Sequence, residues 1–240
     1  MGIQNKSYVI SYDKGKTWQG PYALPQTGHV MTGRTDYIVL DKKSCIMFLS
    51  HEIEGVQCTD YSDRAFAARS DDGGQSWQIL GDMTSDSPRS VMPNTVMLKD
   101  GTLVTSLRRR TDIKNVPTCW IEICQSKDQG ITWEFVSKAG YTHEKSTDNN
   151  GNPPAMALMD DGRLVLAYGY RGDKPVIKAK TSDDNGKTWS DNIILRDDAK
   201  MYDIGYPRMV KLSGGRVVTI YYFTTNEMQE QHIEATVWKP

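Results

Sequence analysis

Short apolar runs separated by turn-forming residues cover the chain, and helical spacing of apolar positions is essentially absent. The runs Asn94–Leu98, Leu103–Leu107, Cys119–Cys124 and Trp133–Val136 have strand lengths and read as four successive strands. The next stretch repeats the series with Ala155–Met159, Leu164–Tyr168, Val176–Lys180 and Trp189–Leu195. Lys99-Asp100-Gly101 and Asp160-Asp161-Gly162 stand between the first two runs of each series, where a tight hairpin needs the positive φ that glycine supplies. Four antiparallel strands per unit, repeated along the chain, predict an all-β fold built of propeller blades.

One octapeptide marks the period. It reads Ser11-Tyr12-Asp13-Lys14-Gly15-Lys16-Thr17-Trp18 and returns at Ser70 to Trp77, Ser126 to Trp133 and Ser182 to Trp189, with starts 59, 56 and 56 residues apart. The pattern Ser-x-Asp-x-Gly-x-Thr/Ser-Trp has the chemistry of a turn. The carboxylate accepts backbone N–H groups of its own loop, the hydroxyls satisfy others, and Trp covers the turn. A calcium or carbohydrate site is the functional alternative; a fold-stabilising hairpin is the reading adopted.

The repeat divides the chain as a half blade over 1–20, blades at about 31–80, 90–138 and 152–196, and a last blade over 204–240, forming one propeller domain. Ser7 to Gln19 supplies only third and fourth strands, and Tyr206 to Trp238 only first, second and third. An open arc of blades exposes apolar surface. Either upstream residues are missing, or the chain closes a smaller ring, or chains self-associate; a fragment of a six-bladed parent is favoured.

Composition narrows the partners. Lys plus Arg is 29 and Asp plus Glu is 30, a net charge of −1, so no global field favours nucleic acid or an anionic membrane. No apolar run reaches the roughly 18 residues of a membrane-spanning helix. Met1 to Lys6 lacks the apolar stretch of a signal peptide, so the sequence as it stands reads as cytoplasmic, with a secreted or periplasmic parent as the alternative. Cys45, Cys58, Cys119 and Cys124 have no Cys-x-x-Cys spacing and read as free thiols. The four histidines show no metal-ligand spacing, and no cofactor is implied.

The octapeptides are Asp boxes, and the chain resembles the sialidase and BNR-repeat superfamily over nearly its whole length. Narrower resemblance to bacterial sialidase-like proteins lies in Val91–Asn94, Ser106–Arg110, Asn150–Pro154, Ala167–Arg171, Asp203–Arg208 and Ile233–Pro240. The resemblance implies a six-bladed propeller with its site near the central axis. Three arginines would hold a sugar carboxylate, a Tyr–Glu pair would act as nucleophile, and an Asp as acid/base. The Phe/Tyr-Arg-Ile-Pro motif of such proteins is absent here.

Aligning the repeats on their own turns selects candidates. First strands begin Arg34-Thr35-Asp36, Met92-Pro93-Asn94, Pro153-Pro154-Ala155 and Tyr206-Pro207-Arg208. Innermost strands converge on an axis, which makes Arg34, Asp36, Asn94, Tyr206 and Arg208 a candidate ring. Second strands end in register at Glu52, Arg110, Arg171 and Thr224, which adds Arg110 and Arg171; Arg108 and Arg109 rank below them. In the implied chemistry, arginines bind a carboxylate bidentately. Asp36 and Asp203 are acid/base candidates, Tyr206 and Tyr222 nucleophile candidates, and Glu52 a base for one of them. Arg34, Arg110, Arg171, Arg208 and Asn94 are the substrate-binding candidates. The expected function is a sialidase-like glycoside hydrolase acting on terminal, acidic sugars of glycans. A non-catalytic glycan- or protein-binding propeller and an inactive fragment of a larger hydrolase are the alternatives. The polar stretch Thr142 to Asn152 reads as a solvated connection over one face.

Overall fold

The computed structural model describes residues 6–32, 36–52, 63–113, 116–144 and 150–240, so Arg34 and Cys58 lie outside the described residues. The described chain is all-β apart from one 3-10 turn at Ser213–Gly215, and its sheets follow one another as antiparallel propeller blades. The first sheet pairs β1 (Ser7–Ile10) with β2 (Gln19–Ala23). The second runs β3 (Asp36–Val39), β4 (Cys45–Glu52), β5 (Asp63–Ser70) and β6 (Gln78–Asp82). The third runs β7 (Arg89–Met97), β8 (Leu103–Ile113), β9 (Val116–Ser126) and β10 (Glu134–Glu144). The fourth runs β11 (Pro154–Leu158), β12 (Leu164–Tyr170), β13 (Val176–Ser182) and β14 (Ile193–Arg196). The fifth joins β15 (Gly205–Leu212), β16 (Arg216–Phe223) and β17 (His232–Trp238).

Blades stack through alternate side chains, because period-two strands expose one residue set to each neighbour. Ile46 and Phe48 of β4 pack with Leu103 and Leu107 of β8. Val104 of β8 and Ile121 of β9 pack with Leu164, Leu166 and Tyr168 of β12. Val165 of β12 packs with Val217 of β16. The first strands touch in turn, β3 against β7, β7 against β11 and β11 against β15, and so form the inner wall. Strands of the third sheet run well past their apolar cores; β8, β9 and β10 are each 11 residues long. Cys119 and Cys124 are buried on opposite faces of β9, and burial pushes their thiols up to about 11 and about 12.

Each Asp box closes the hairpin between the third and fourth strands. In the third sheet Ser126 donates to Asp128 at 2.8 Å, the Thr132 N–H to Asp128 Oδ1 at 2.9 Å and the Thr132 hydroxyl to Oδ2 at 2.6 Å. Asp13, Asp72 and Asp184 repeat this pattern. The carboxylates are thus spent on their own loops, which supports the structural reading of the box. Gly130 takes φ +96°, and a Cβ there would crowd Ala67 and Leu80 of the neighbouring blade at 3.3 Å. The Thr132 hydroxyl and N–H, stabilising the anion, lower Asp128 to about 2. A depressed carboxylate contributes stability that is present above its ordinary value and lost as pH falls toward the folded value. Asp128→Asn is therefore expected to lower Tm by a few degrees at neutral pH. The difference from the parent should shrink between about pH 5 and about pH 2. A difference that stays constant in thermal scans over that range would show that the ionised carboxylate is not what holds the turn.

Candidate active site

Register across the inner strands fixes equivalent positions. Asp36 pairs with Phe48, Asn94 with Ser106, Ala155 with Ala167 and Arg208 with Ile220. Four residues beyond each second-strand partner stand Glu52, Arg110, Arg171 and Thr224, the series expected from the sequence. Two residues beyond stand Ser50, Arg108, Gly169 and Tyr222.

The first layer is a stitch around the inner wall. Asp36 Oδ2 accepts the Asn94 side-chain amide at 3.0 Å and the Thr95 N–H at 2.7 Å. Asn94 Oδ1 in turn accepts the Met156 N–H. Each side chain thereby satisfies a backbone donor of the next blade. The stitch ends at Ala155, which has no acceptor. Burial pushes the Asp36 carboxyl up, against those hydrogen bonds and the opposing charge of Arg208. Arg208 itself is exposed on β15.

The second layer is a cationic cluster around two tyrosines. Arg108, 3% exposed, donates from Nε to the Asn150 carbonyl at 2.6 Å and from Nη1 to the Tyr206 hydroxyl at 3.4 Å and Met92 Sδ at 3.5 Å. No carboxylate is among its hydrogen-bonding partners in the described residues. Burial lowers its guanidinium pKa, which the neighbouring Tyr206 opposes. The Arg171 guanidinium carbon lies 5.6 Å from the centre of the Tyr206 ring, a cation–π contact. Arg171 also bonds Asp203 Oδ1 at 2.7 Å and the Tyr222 hydroxyl. Tyr222 donates to Asp203 Oδ1 at 2.5 Å, and Gln231 donates to Oδ2 at 2.6 Å. Burial, then the hydrogen bond to the Asp203 anion, pushes the Tyr222 phenol well up. The two tyrosine rings lie 5.8 Å apart. Tyr206, Tyr222, Asp203 and Arg171 are therefore brought together; Arg110 bonds Oδ1 of Asn150, the residue that Arg108 also bonds, and is ion-paired with Asp112 at 3.1 Å.

Backbone strain aims two of these side chains. Met92 and Tyr206 occupy equivalent positions, each before a proline, each at a break in strand register and each with positive φ, 54° and 50°. A non-glycine residue in that region costs roughly 1–3 kcal/mol and is tolerated where the surroundings over-determine it. Both side chains converge on Arg108 Nη1.

Two expected members stand apart. Glu52 is exposed at the end of β4, pairs with Asp63, and lies three sheets away along the chain from the tyrosines, with a hydrogen bond to neither. Arg34 lies outside the described residues. Arg108, ranked low from sequence, is at the centre. The available signal was its register with Tyr222 two residues inside Arg110 and Arg171. Arg109 points to the opposite face and is ion-paired with Asp86 and Glu122 at 2.6 and 2.8 Å. The stretch Thr142 to Asn152 is not a plain solvated connection: Thr142, His143 and Asn152 are buried, because β10 extends to Glu144 and the Asn150–Asn152 segment tucks under the cluster; residues 145–149 lie outside the described residues.

Comparison with known proteins gives the same architecture. The BNR repeat-like domain matches residues 2–219. No curated protein matches the chain. A protein of unknown function from Dyadobacter fermentans is similar in structure at TM-score 0.74 and 23% identity, over 95% of this chain and 62% of that one. The GH93 α-L-arabinofuranosidase of Fusarium graminearum, solved with arabinobiose, is similar at TM-score 0.66 and 20% identity, over 90% of this chain and 65% of that one. The NanB sialidase of Streptococcus pneumoniae is similar at TM-score 0.60 and 15% identity, over 96% of this chain and 35% of that one. The chain thus spans less than two thirds of the length of these solved relatives.

Proposed function

The chain belongs to the BNR repeat-like domain family, and on that premise we propose that it carries the substrate pocket of a glycoside hydrolase acting on terminal, acidic sugars of glycans. Its fold is that of propeller glycosidases, including arabinofuranosidases and a sialidase. The observation that carries the acidic specificity is Arg108, a buried guanidinium with no carboxylate among its partners in the described residues, aimed at Tyr206 beside Arg171. A buried cation without a counter-anion is costly, and a substrate carboxylate would supply one.

In this reading Arg108 takes the sugar carboxylate, with Arg110, Arg171 and Arg208 adding positive charge around it. Tyr206 presents the nucleophilic hydroxyl, its strained backbone and the Arg108 contact fixing the approach. A neutral phenol avoids bringing an anion against an anionic sugar. Tyr222 and Asp203 form a fixed pair that holds Arg171 over the Tyr206 ring. Asp203, held by three donors, suits a base or orienting role. Asp36, whose carboxyl is pushed up by burial, suits the proton donor, and Asn94 orients it. Glu52 has no part in this arrangement.

The test is turnover of an aryl α-sialoside, an aryl β-glucuronide and an aryl α-L-arabinofuranoside, with Tyr206→Phe as the control. Release from an acidic glycoside, lost by at least about 1,000-fold in Tyr206→Phe, is the expected result. Turnover of the arabinofuranoside alone would retain a hydrolase and refute the acidic specificity. Turnover of none of them would overturn the proposal.

A further inference from the structure

We infer that the tripeptide Asn150-Gly151-Asn152 is a positioning bracket that holds the two halves of this pocket in register. This rests on the reading of the Arg108–Tyr206 cluster as the substrate site. Asn152 is fully buried and its carboxamide is used at both ends. Oδ1 accepts the Tyr206 N–H at 3.1 Å and the Gly169 N–H at 3.2 Å. Nδ2 donates to the Ile204 carbonyl at 2.7 Å. That same carbonyl accepts Arg171 Nε at 3.0 Å and Nη2 at 2.9 Å. One side chain therefore fixes the backbone of the strained tyrosine and the acceptor that aims Arg171 over its ring.

The other end of the tripeptide holds the third sheet. The Asn150 carbonyl takes Arg108 Nε and its Oδ1 takes Arg110 Nη1. Gly151, at φ +67°, lies against Cys119 and Thr142 too closely for any Cβ. Glycines also make room for the Asn152 amide: a Cβ on Gly169 would meet it at about 3 Å, and one on Gly205, at φ +111°, would overlap it. Two glycines thus admit one buried amide, a third lets the tripeptide pass Cys119 and Thr142, and that amide bonds the backbone of Tyr206, a non-glycine residue at positive φ. Ordinary loop closure would be met by any sequence that joined β10 to β11. This arrangement is matched to Tyr206.

The bracket predicts that Asn152 acts through Tyr206 rather than on the ligand. The experiment labels tyrosines with 3-fluorotyrosine in the full chain and assigns the Tyr206 signal with Tyr206→Phe. Asn152→Ala should shift or broaden the Tyr206 fluorine resonance while the signals of Tyr8, Tyr37 and Tyr141 stay in place. Ile46→Val, which loosens the core of the second sheet, should leave Tyr206 unmoved. On any glycoside that is turned over, Asn152→Ala should lower kcat by at least about tenfold with KM changed by less than about threefold. Should Asn152→Ala fail to fold, Asn152→Asp keeps the acceptor for the Tyr206 N–H, sets a carboxylate against the Ile204 carbonyl, and is read by the same resonance. An unchanged Tyr206 signal in a folded Asn152 variant overturns the bracket. A moved signal in a protein that hydrolyses nothing supports the bracket and refutes the hydrolase, so the two failures are told apart.

Discussion

Arg108→Ala is expected to abolish recognition of an acidic sugar while leaving the protein as stable as before, or more so. The guanidinium is 3% exposed and lacks a carboxylate partner among the described residues. Among the described residues no carboxylate offsets the desolvation cost that this buried guanidinium carries in the free protein. With a substrate carboxylate beside it the same group becomes a charge-assisted, bidentate donor. Truncating one side of such a buried pair costs about 2–4 kcal/mol, roughly 30- to 1,000-fold in affinity or in kcat/KM. Stability and function should move in opposite directions, as they do where a site keeps a strained or unpaired group for its ligand. Calorimetric titration with sialic acid or glucuronic acid, alongside a thermal scan, checks both halves. A variant that loses several degrees of Tm and keeps its affinity would assign Arg108 to the scaffold.

Arg109→Ala is expected to give the reverse result, though the two residues are neighbours in β8. Arg109 is fully buried, bonds Asp86 and Glu122, and stacks with its guanidinium carbon 5.6 Å from the centre of the Trp120 ring. Glu122 is 6% exposed, so removal of its cation strands a buried carboxylate that retains, among the described residues, the Trp120 indole N–H at 3.0 Å and the Cys124 thiol at 4.0 Å as donors. Breaking a buried pair from one side costs about 3–5 kcal/mol. For a chain of this size that is a fall in Tm of roughly 6–20 °C. Folded Arg109→Ala should bind the acidic sugar with the parent's affinity, because this side chain points away from Tyr206. The double variant Arg109→Met, Glu122→Gln should recover much of the loss, since it removes both charges together. Absence of that recovery in denaturant titrations would show that the stack on Trp120, and not the ion pair, is what Arg109 contributes.

The contrast between these adjacent arginines locates the limit of the sequence. The sequence by itself determined the Asp-box turns, the strands between them and the blade period, because each rests on chemistry closed within a few residues. Asp128 is satisfied by Ser126 and Thr132, and alternate apolar positions define the two faces of a strand wherever the strand lies. Register between blades was legible for the same reason, so Asp36, Asn94, Arg110, Arg171 and Tyr206 could be picked out by counting from the turns. Which of Arg108, Arg109 and Arg110 faces the pocket was not legible. A strand alternates its side chains, but only the packing of neighbouring sheets decides which alternate set meets the axis. Arg108 meets Tyr206 from a position 98 residues away, and Asn152 meets the Tyr206 N–H from 54 residues away. The positive φ of Met92 and Tyr206 ahead of prolines runs against local preference, so no local rule predicts it. Tertiary structure alone decided these features, because the free energy that holds them comes from bonds made between blades and from glycines that leave space for another sheet's side chain.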